Sequence, residues 1–161
     1  MTQTSVRPTE KDIERVVTKY ADTLYRLCFA IIQNEADAAD AVQDTFYKYI
    51  TRSPSFREPE HEKAWLLRVA TNISKNYKRF ALMHNHVDIE TLYDLHREQQ
   101  EYHLMDAINK LPRDYRAVIH LHYYEGYTAK EIASILGVSQ VTALKRLERG
   151  RAQIRKMIEE G

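Results

Sequence analysis

Apolar residues return along this chain at intervals of three and four, the spacing of one helix face. In the first such stretch, from about Glu10 to Gln33, Ile13, Val16, Val17, Tyr20, Leu24, Leu27, Cys28 and Ile31 keep to one side. A second helix is expected from Glu35 to about Thr51, with Val42, Phe46, Tyr49 and Ile50 as its apolar side. Pro54 and Pro59 interrupt the pattern between Ser53 and Glu60. A third helix then runs from about Glu60 to Phe80, with Leu66, Val69, Ala70, Ile73 and Tyr77 inward. Periodicity is lost from Ala81 to about Glu101. It returns in a helix ending near Leu111 and in another from Arg113 to Tyr124, with Pro112 at its start, Tyr115, Val118 and Leu121 inward, and Gly126 breaking it.

The clearest local grammar lies between Thr128 and Arg155. Thr128 and Glu131 have the spacing of a capping box, so a short helix starts at Thr128. Ile132, Ala133, Ile135 and Leu136 give it an apolar side, and Gly137 supplies the left-handed residue that ends it. Val138 plugs the corner, Ser139 caps a second helix, and the small Ala133 lets the two cross closely. This is helix-turn-helix grammar, with the second helix as reader of a DNA major groove. Ala143, Leu147, Ile154 and Ile158 form its expected buried stripe, and Thr142, Lys145, Arg146, Arg149 and Lys156 its other face. From Val138 to Met157 six bases face one acid, Glu148. A helix dipole accounts for cations at Arg155 and Lys156 but disfavours them at Lys145 and Arg146, which DNA contact explains.

The polar faces of the earlier helices differ in sign. Asp37, Asp40 and Asp44, with Gln43 beside them, form an acidic stripe on the second helix. The dipole at a helix start accounts for Asp37 but not for Asp44. With Phe46 and Tyr47 close by, the stripe reads either as a surface for a basic partner or as a solvated face. On the third helix Trp65, Arg68, Asn72, Lys75, Asn76 and Arg79 fall on one outer stripe, and from Glu62 to Phe80 five bases face one acid. An aromatic, two amides and several cations beside an irregular loop suit single-stranded nucleic acid, whose bases stack while its phosphates follow the charge. The alternative is a half-buried core tryptophan among surface cations. From Met83 to Asp106 six acids face only Arg97, which marks an acidic linker between two helical domains. The linker histidines His84, His86, His96 and His103 match no common zinc spacing.

Composition narrows the class. Four glycines, four prolines and few alternating strand-like runs leave an all-α fold, with two small helical domains at 8–81 and 102–161 joined by the acidic segment 82–101. The net charge of +1 says nothing by itself; the segregation of charge along the chain does. A single cysteine, Cys28, allows no internal disulfide and reads as a buried, inert thiol. No signal peptide and no membrane-length apolar run are found, so a cytoplasmic protein is expected. No phosphate loop, H-E-x-x-H or nucleophile motif appears, and no catalytic residue, metal or cofactor is expected.

Three segments in order carry a family resemblance. ADAADAVQDTFYKYI within Leu24–Ile50 resembles region 2.1–2.2 of extracytoplasmic-function (ECF) sigma factors, and AWLLRVATNISKNYKR, from Ala64 to Arg79, resembles their regions 2.3–2.4. LPRDYRAVIHLHYYEGYTAKEIASILGVSQVTALKRLERGRAQIR resembles region 4. The resemblance implies a promoter-specificity subunit that docks on bacterial core RNA polymerase through Asp40, Gln43, Asp44, Phe46 and Tyr47. It implies capture of the melted minus-10 strand by Phe56, Arg57, Trp65, Arg68, Asn72, Lys75, Asn76 and Arg79, and reading of the minus-35 duplex by Ser139, Gln140, Thr142, Lys145, Arg146, Arg149 and Arg151. It also implies promoter DNA as a partner, an anti-sigma factor, often membrane-bound, as inhibitor, and an acidic linker threading a basic polymerase channel. Three positions depart from the family pattern: Asn76 where Asp is common, Leu144 where Lys is usual, and Val141 in place of a frequent Gly. A different class, a free-standing helix-turn-helix regulator with an N-terminal sensor or dimerisation domain, would bind its DNA site unaided, and has no need of a second basic, aromatic-bearing helix.

Overall fold

The computed structural model describes residues 7–77 and 99–160, and among these every regular element is helical. α1 (Glu10–Ile32) opens on a capping box in which the Thr9 hydroxyl accepts from the Asp12 N–H while the Asp12 carboxylate accepts from that of Thr9. It ends at Gln33, a left-handed residue at φ 61°, and Asn34 at once caps α2 (Glu35–Arg52) by accepting from the Asp37 N–H. A two-residue corner thus folds α2 back along α1. α3 (Pro59–Lys75) follows the proline-bracketed loop, with Pro59 at its first position, where a missing N–H costs nothing. These three helices pack mutually around Val16, Leu24, Leu27, Ile31, Leu66 and Leu67, all essentially inaccessible to water.

The second half repeats the device with shorter helices. α4 (Gln99–Asn109) spans the expected linker boundary at residue 101, and α5 (Arg113–Ile119) follows Pro112. Where a continuous α-helix to Tyr124 is expected, the chain widens into a π-helical turn from His120 to Tyr124. The widened turn keeps Leu121 buried and turns Tyr123 and Tyr124 out to solvent. α6 (Ala129–Leu136) and α7 (Gln140–Glu160) form the helix-turn-helix. The Thr128–Glu131 capping box forms as expected, Gly137 is left-handed at φ 68°, and the Thr142 N–H donates to the Ser139 hydroxyl. Gly150 lets α7 lie close on α5, since a Cβ there would sit 3.2 Å from the Ile119 side chain.

Several pattern-based expectations are corrected. Val17 and Ile158 are exposed rather than on the buried stripes of their helices, and Ile50 lies at the edge of exposure. Small and hydroxyl side chains fill what the large apolar residues leave: Ala38 and Ala41 are buried, and buried Thr45 and Thr71 each return their hydroxyl to the carbonyl four residues back. Cys28 is fully buried, and burial pushes its thiol up to about 11, as an inert core cysteine requires.

The two halves share one continuous core and pack directly on each other, α1 against α5 and α3 against α6. Arg116 is the main polar tie. Its buried guanidinium donates to the carbonyls of Ala30 and Ile31 at the C-terminal end of α1 and to that of Leu111. The carbonyl-rich end of a helix is where a cation belongs, although burial, with Arg113 nearby, still lowers the Arg116 pKa to about 10. Gln33 adds a second tie, its side-chain N–H donating to the Asn109 carbonyl at 2.7 Å.

Candidate functional site

On α2, the helix seated on α1 and α3 by its alanine and hydroxyl side, Asp40, Gln43 and Asp44 are exposed and Tyr47 is 67% exposed. Phe46 is half-buried and packs on the core, so it supports this face more than it presents itself. Asp44 and Tyr47, with Lys48, Ile73, Asn76 and Tyr77, line a groove of about 510 Å³ between α2 and the end of α3. The Tyr77 hydroxyl holds its proton more tightly than usual, first through burial and then through the field of Asp44, Asp40 and Asp37. The acidic stripe thus borders a groove in which Tyr77 lies within its field.

The loop before α3 makes a second feature. Trp65 is half-buried, with its ring 5.8 Å from that of Phe56 and edge-on to Tyr49 at 6.4 Å. Of the two readings of Trp65, the half-buried one holds: the ring anchors the loop to the helix. Beside it, Arg15, Phe56, Arg57, Glu58, Pro59 and Glu62 line a small cavity of about 180 Å³. Glu62 is only 6% exposed and takes both ends of the Arg15 guanidinium at 2.9 Å. This bidentate pair fixes the first turn of α3 to α1 and was missed as a functional support. The signal was present, because Glu62 stands four residues before Leu66 and eight before Ala70, on the inward face.

The basic face of α3 meets the second half of the molecule. Lys63 pairs with Glu125 at 3.5 Å and lies over the Tyr127 ring, and Lys75 pairs with Asp114 at 3.4 Å. Arg68 reaches the helix-turn-helix corner, where a Cβ on Gly137 would stand 3.0 Å from its guanidinium. Arg113 donates to the carbonyls of Lys75 and Tyr77. Arg57, Asn72 and Asn76 remain exposed, while Arg79 and the linker residues His84, His86 and His96 lie outside the described residues. Among the described residues no group of His, Cys, Asp and Glu side chains could hold a metal ion.

On α7, Ser139, Gln140, Lys145 and Arg149 are exposed. Thr142 is half-buried and its hydroxyl accepts from Ser139 at 2.9 Å. Arg151 lies over the Tyr123 ring at 6.0 Å. Arg146, expected on the open face, turns back toward Asp114 at 3.9 Å, and its side chain is only 21% exposed. Its position at the edge of the buried stripe lets it swing to the nearest carboxylate. Asp114 thereby meets cations from both basic helices, Lys75 of α3 and Arg146 of α7.

Residues 16–81 match the Sigma-70 region 2 family and residues 103–154 match Sigma-70 region 4. RNA polymerase sigma factor SigV of Bacillus subtilis is 30% identical over 83% of this chain and 82% of its own length. ECF RNA polymerase sigma factor SigE of Mycolicibacterium smegmatis is 32% identical over 88% of this chain, which spans 60% of that relative. The chain belongs to the ECF sigma factors. The fold agrees: the sigma factor RpoE of Bartonella quintana, solved in complex with the anti-sigma factor NepR, superposes with a TM-score of 0.67 over 92% of this chain and 98% of that one, at 22% identity. This sigma factor directs RNA polymerase to promoters, and the free-standing regulator reading yields to that membership. Among the described residues no helix is long and apolar enough to cross a membrane.

Proposed function

We propose that the three faces divide the work of promoter recognition. The α2 surface of Asp40, Gln43, Asp44 and Tyr47, supported by Phe46, docks a basic element of core RNA polymerase. The loop carrying Phe56 and Arg57, with Trp65 behind it and Arg68, Asn72, Lys75, Asn76 and Arg79 alongside, holds the melted minus-10 strand. Helix α7 enters the minus-35 duplex through Ser139, Gln140, Thr142, Lys145, Arg146, Arg149 and Arg151. The two units expected at 8–81 and 102–161 then act on separate promoter elements, with the acidic segment between them. The protein works in the cytoplasm as a specificity subunit, does no covalent chemistry, and is restrained by an anti-sigma factor.

The observation that carries this reading is the split in charge and exposure. Asp40, Gln43 and Asp44 of α2 are exposed, whereas Lys63, Lys75 and Arg146 are engaged with acids of the other elements. A chain in this closed packing can meet a basic partner first, and contact of Lys63 and Lys75 of α3 with DNA requires their pairs with Glu125 and Asp114 to part afterwards. The test is assembly with core polymerase. Asp40→Lys with Asp44→Lys removes the acidic face at exposed positions and should abolish capture of core polymerase while leaving the helical signal and melting temperature intact. Assembly at wild-type affinity by the folded double variant would refute the assignment of this surface.

A further inference from the structure

The recognition helix presents more than cations. Val141 is 60% exposed and Leu144 41% exposed, and they stand at i and i+3 in the first two turns, side by side on one face. A single exposed aliphatic residue needs no explanation, but these two are adjacent and sit where the helix would enter the groove. The polar residues around them are partly committed elsewhere. The Thr142 hydroxyl is held by the Ser139 cap, and Arg146 is turned toward Asp114. Gln140, Val141, Leu144 and Lys145 are what the first two turns offer outward, and half of that set is apolar.

The major groove carries one apolar mark, the 5-methyl group of thymine, and aliphatic side chains recognise it by contact. Lys145, one turn on from Val141, and Arg149, two turns on, are exposed and supply the positive charge that brings a phosphate backbone to this face. The combination of a small aliphatic pair and flanking cations fits a duplex better than an apolar protein groove, which would leave those cations buried. We propose that Val141 and Leu144 are specificity residues that read thymine methyl groups in the minus-35 element. This rests on α7 being the duplex-reading helix, as proposed above, and adds which bases it selects.

Deoxyuridine differs from thymidine only by the missing methyl, so it isolates the contact. With holoenzyme assembled from the full chain and core polymerase, a preferred minus-35 duplex is selected from a randomised promoter library. Each thymine is then replaced in turn by deoxyuridine and the affinity measured. Loss of one buried methyl corresponds to roughly fourfold in affinity, and that loss is expected at one or two thymines. Holoenzyme carrying Val141→Ala and Leu144→Ala should bind the thymine and deoxyuridine duplexes equally. Both substitutions raise helix propensity at exposed positions, so the fold should persist, and circular dichroism and core capture check it. Wild-type holoenzyme indifferent to every deoxyuridine, while Lys145→Ala still weakens minus-35 binding, would overturn this inference and leave α7 on the duplex. Minus-35 affinity unmoved by Lys145→Ala and Arg149→Ala would remove the underlying assignment as well. Loss of core capture in the folded double-alanine variant would assign the patch to a protein partner and overturn the inference.

Discussion

Helices α3 and α7 start from the same sequence signature, an apolar stripe backed by a run of cations, and end in different surroundings. The cations of α3 are met by the other half of the molecule: Glu125 and Asp114 take Lys63 and Lys75, and Arg68 lies against Gly137. On α7 Arg146 is drawn in by the same Asp114 and Arg151 lies over Tyr123, while Lys145 and Arg149 are exposed. A run of positive charge thus says that a helix has a partner of opposite sign without saying whether that partner is nucleic acid or the chain itself. Under the function proposed above, both answers apply to α3 at different times. The Lys75 and Arg146 pairs share the half-exposed Asp114 carboxylate, and pairs open to water contribute at most about 1 kcal/mol each, so these two can be exchanged for phosphate contacts once polymerase holds the chain. What keeps the halves together is the shared core and the ties through Arg116 and Gln33.

That contrast between weak surface pairs and buried ties can be broken at Arg116. Arg116→Ala strands the carbonyls of Ala30, Ile31 and Leu111 at the join between the halves. Buried carbonyls losing a charged donor should lower stability by about 3 kcal/mol, measured by urea unfolding. A loss no larger than a surface substitution, under about 0.5 kcal/mol, would show that the join does not depend on this residue.

A smaller effect sharpens the same comparison through pH. His120 lies at the join, stacked on Tyr124, and its pKa is lowered to about 4 by burial and then by Arg26. Glu125 stands 3.9 Å away, too far to hydrogen-bond and hold the ring protonated, so burial dominates. Unfolding frees His120 to take a proton near its ordinary value of about 6.5. Its contribution is therefore fully present above that value and is lost as pH falls toward about 4. Between about pH 7 and about pH 5 the wild type should lose roughly 2 kcal/mol more than His120→Gln. Identical pH slopes by denaturant titration would contradict this placement of the imidazole.

How far the sequence was legible follows from what each feature depends on. The α1–α2 and helix-turn-helix boundaries could be read because Asn34, Thr128, Gly137 and Ser139 act within a few residues of themselves. The acidic stripe of α2 was legible for the same reason, since helical spacing alone places Asp40 and Asp44 together. The end of α3 was not. Expected at Phe80, it comes at Lys75, beside carbonyls taken by Arg113, a residue more than thirty positions away. Arg146 was placed on an open face because periodicity describes one helix and its own stripe, whereas its partner Asp114 comes from another helix. For Trp65 the half-buried alternative holds, with Phe56 packed on it from across the loop. The π-helical turn at His120–Tyr124 carries no glycine or proline to announce it.

On this reading Lys63 and Lys75 of α3 are paired with the second half in the free chain and released on polymerase. A donor and an acceptor dye on cysteines introduced at Asn72 of α3 and Ser134 of α6, both exposed, report the separation of the halves directly. Cys28 is fully buried and will not compete for label. Energy transfer should be high in the free protein and fall sharply when core polymerase is added, before any promoter DNA is present. Transfer that stays high in assembled, transcriptionally active holoenzyme would contradict the account.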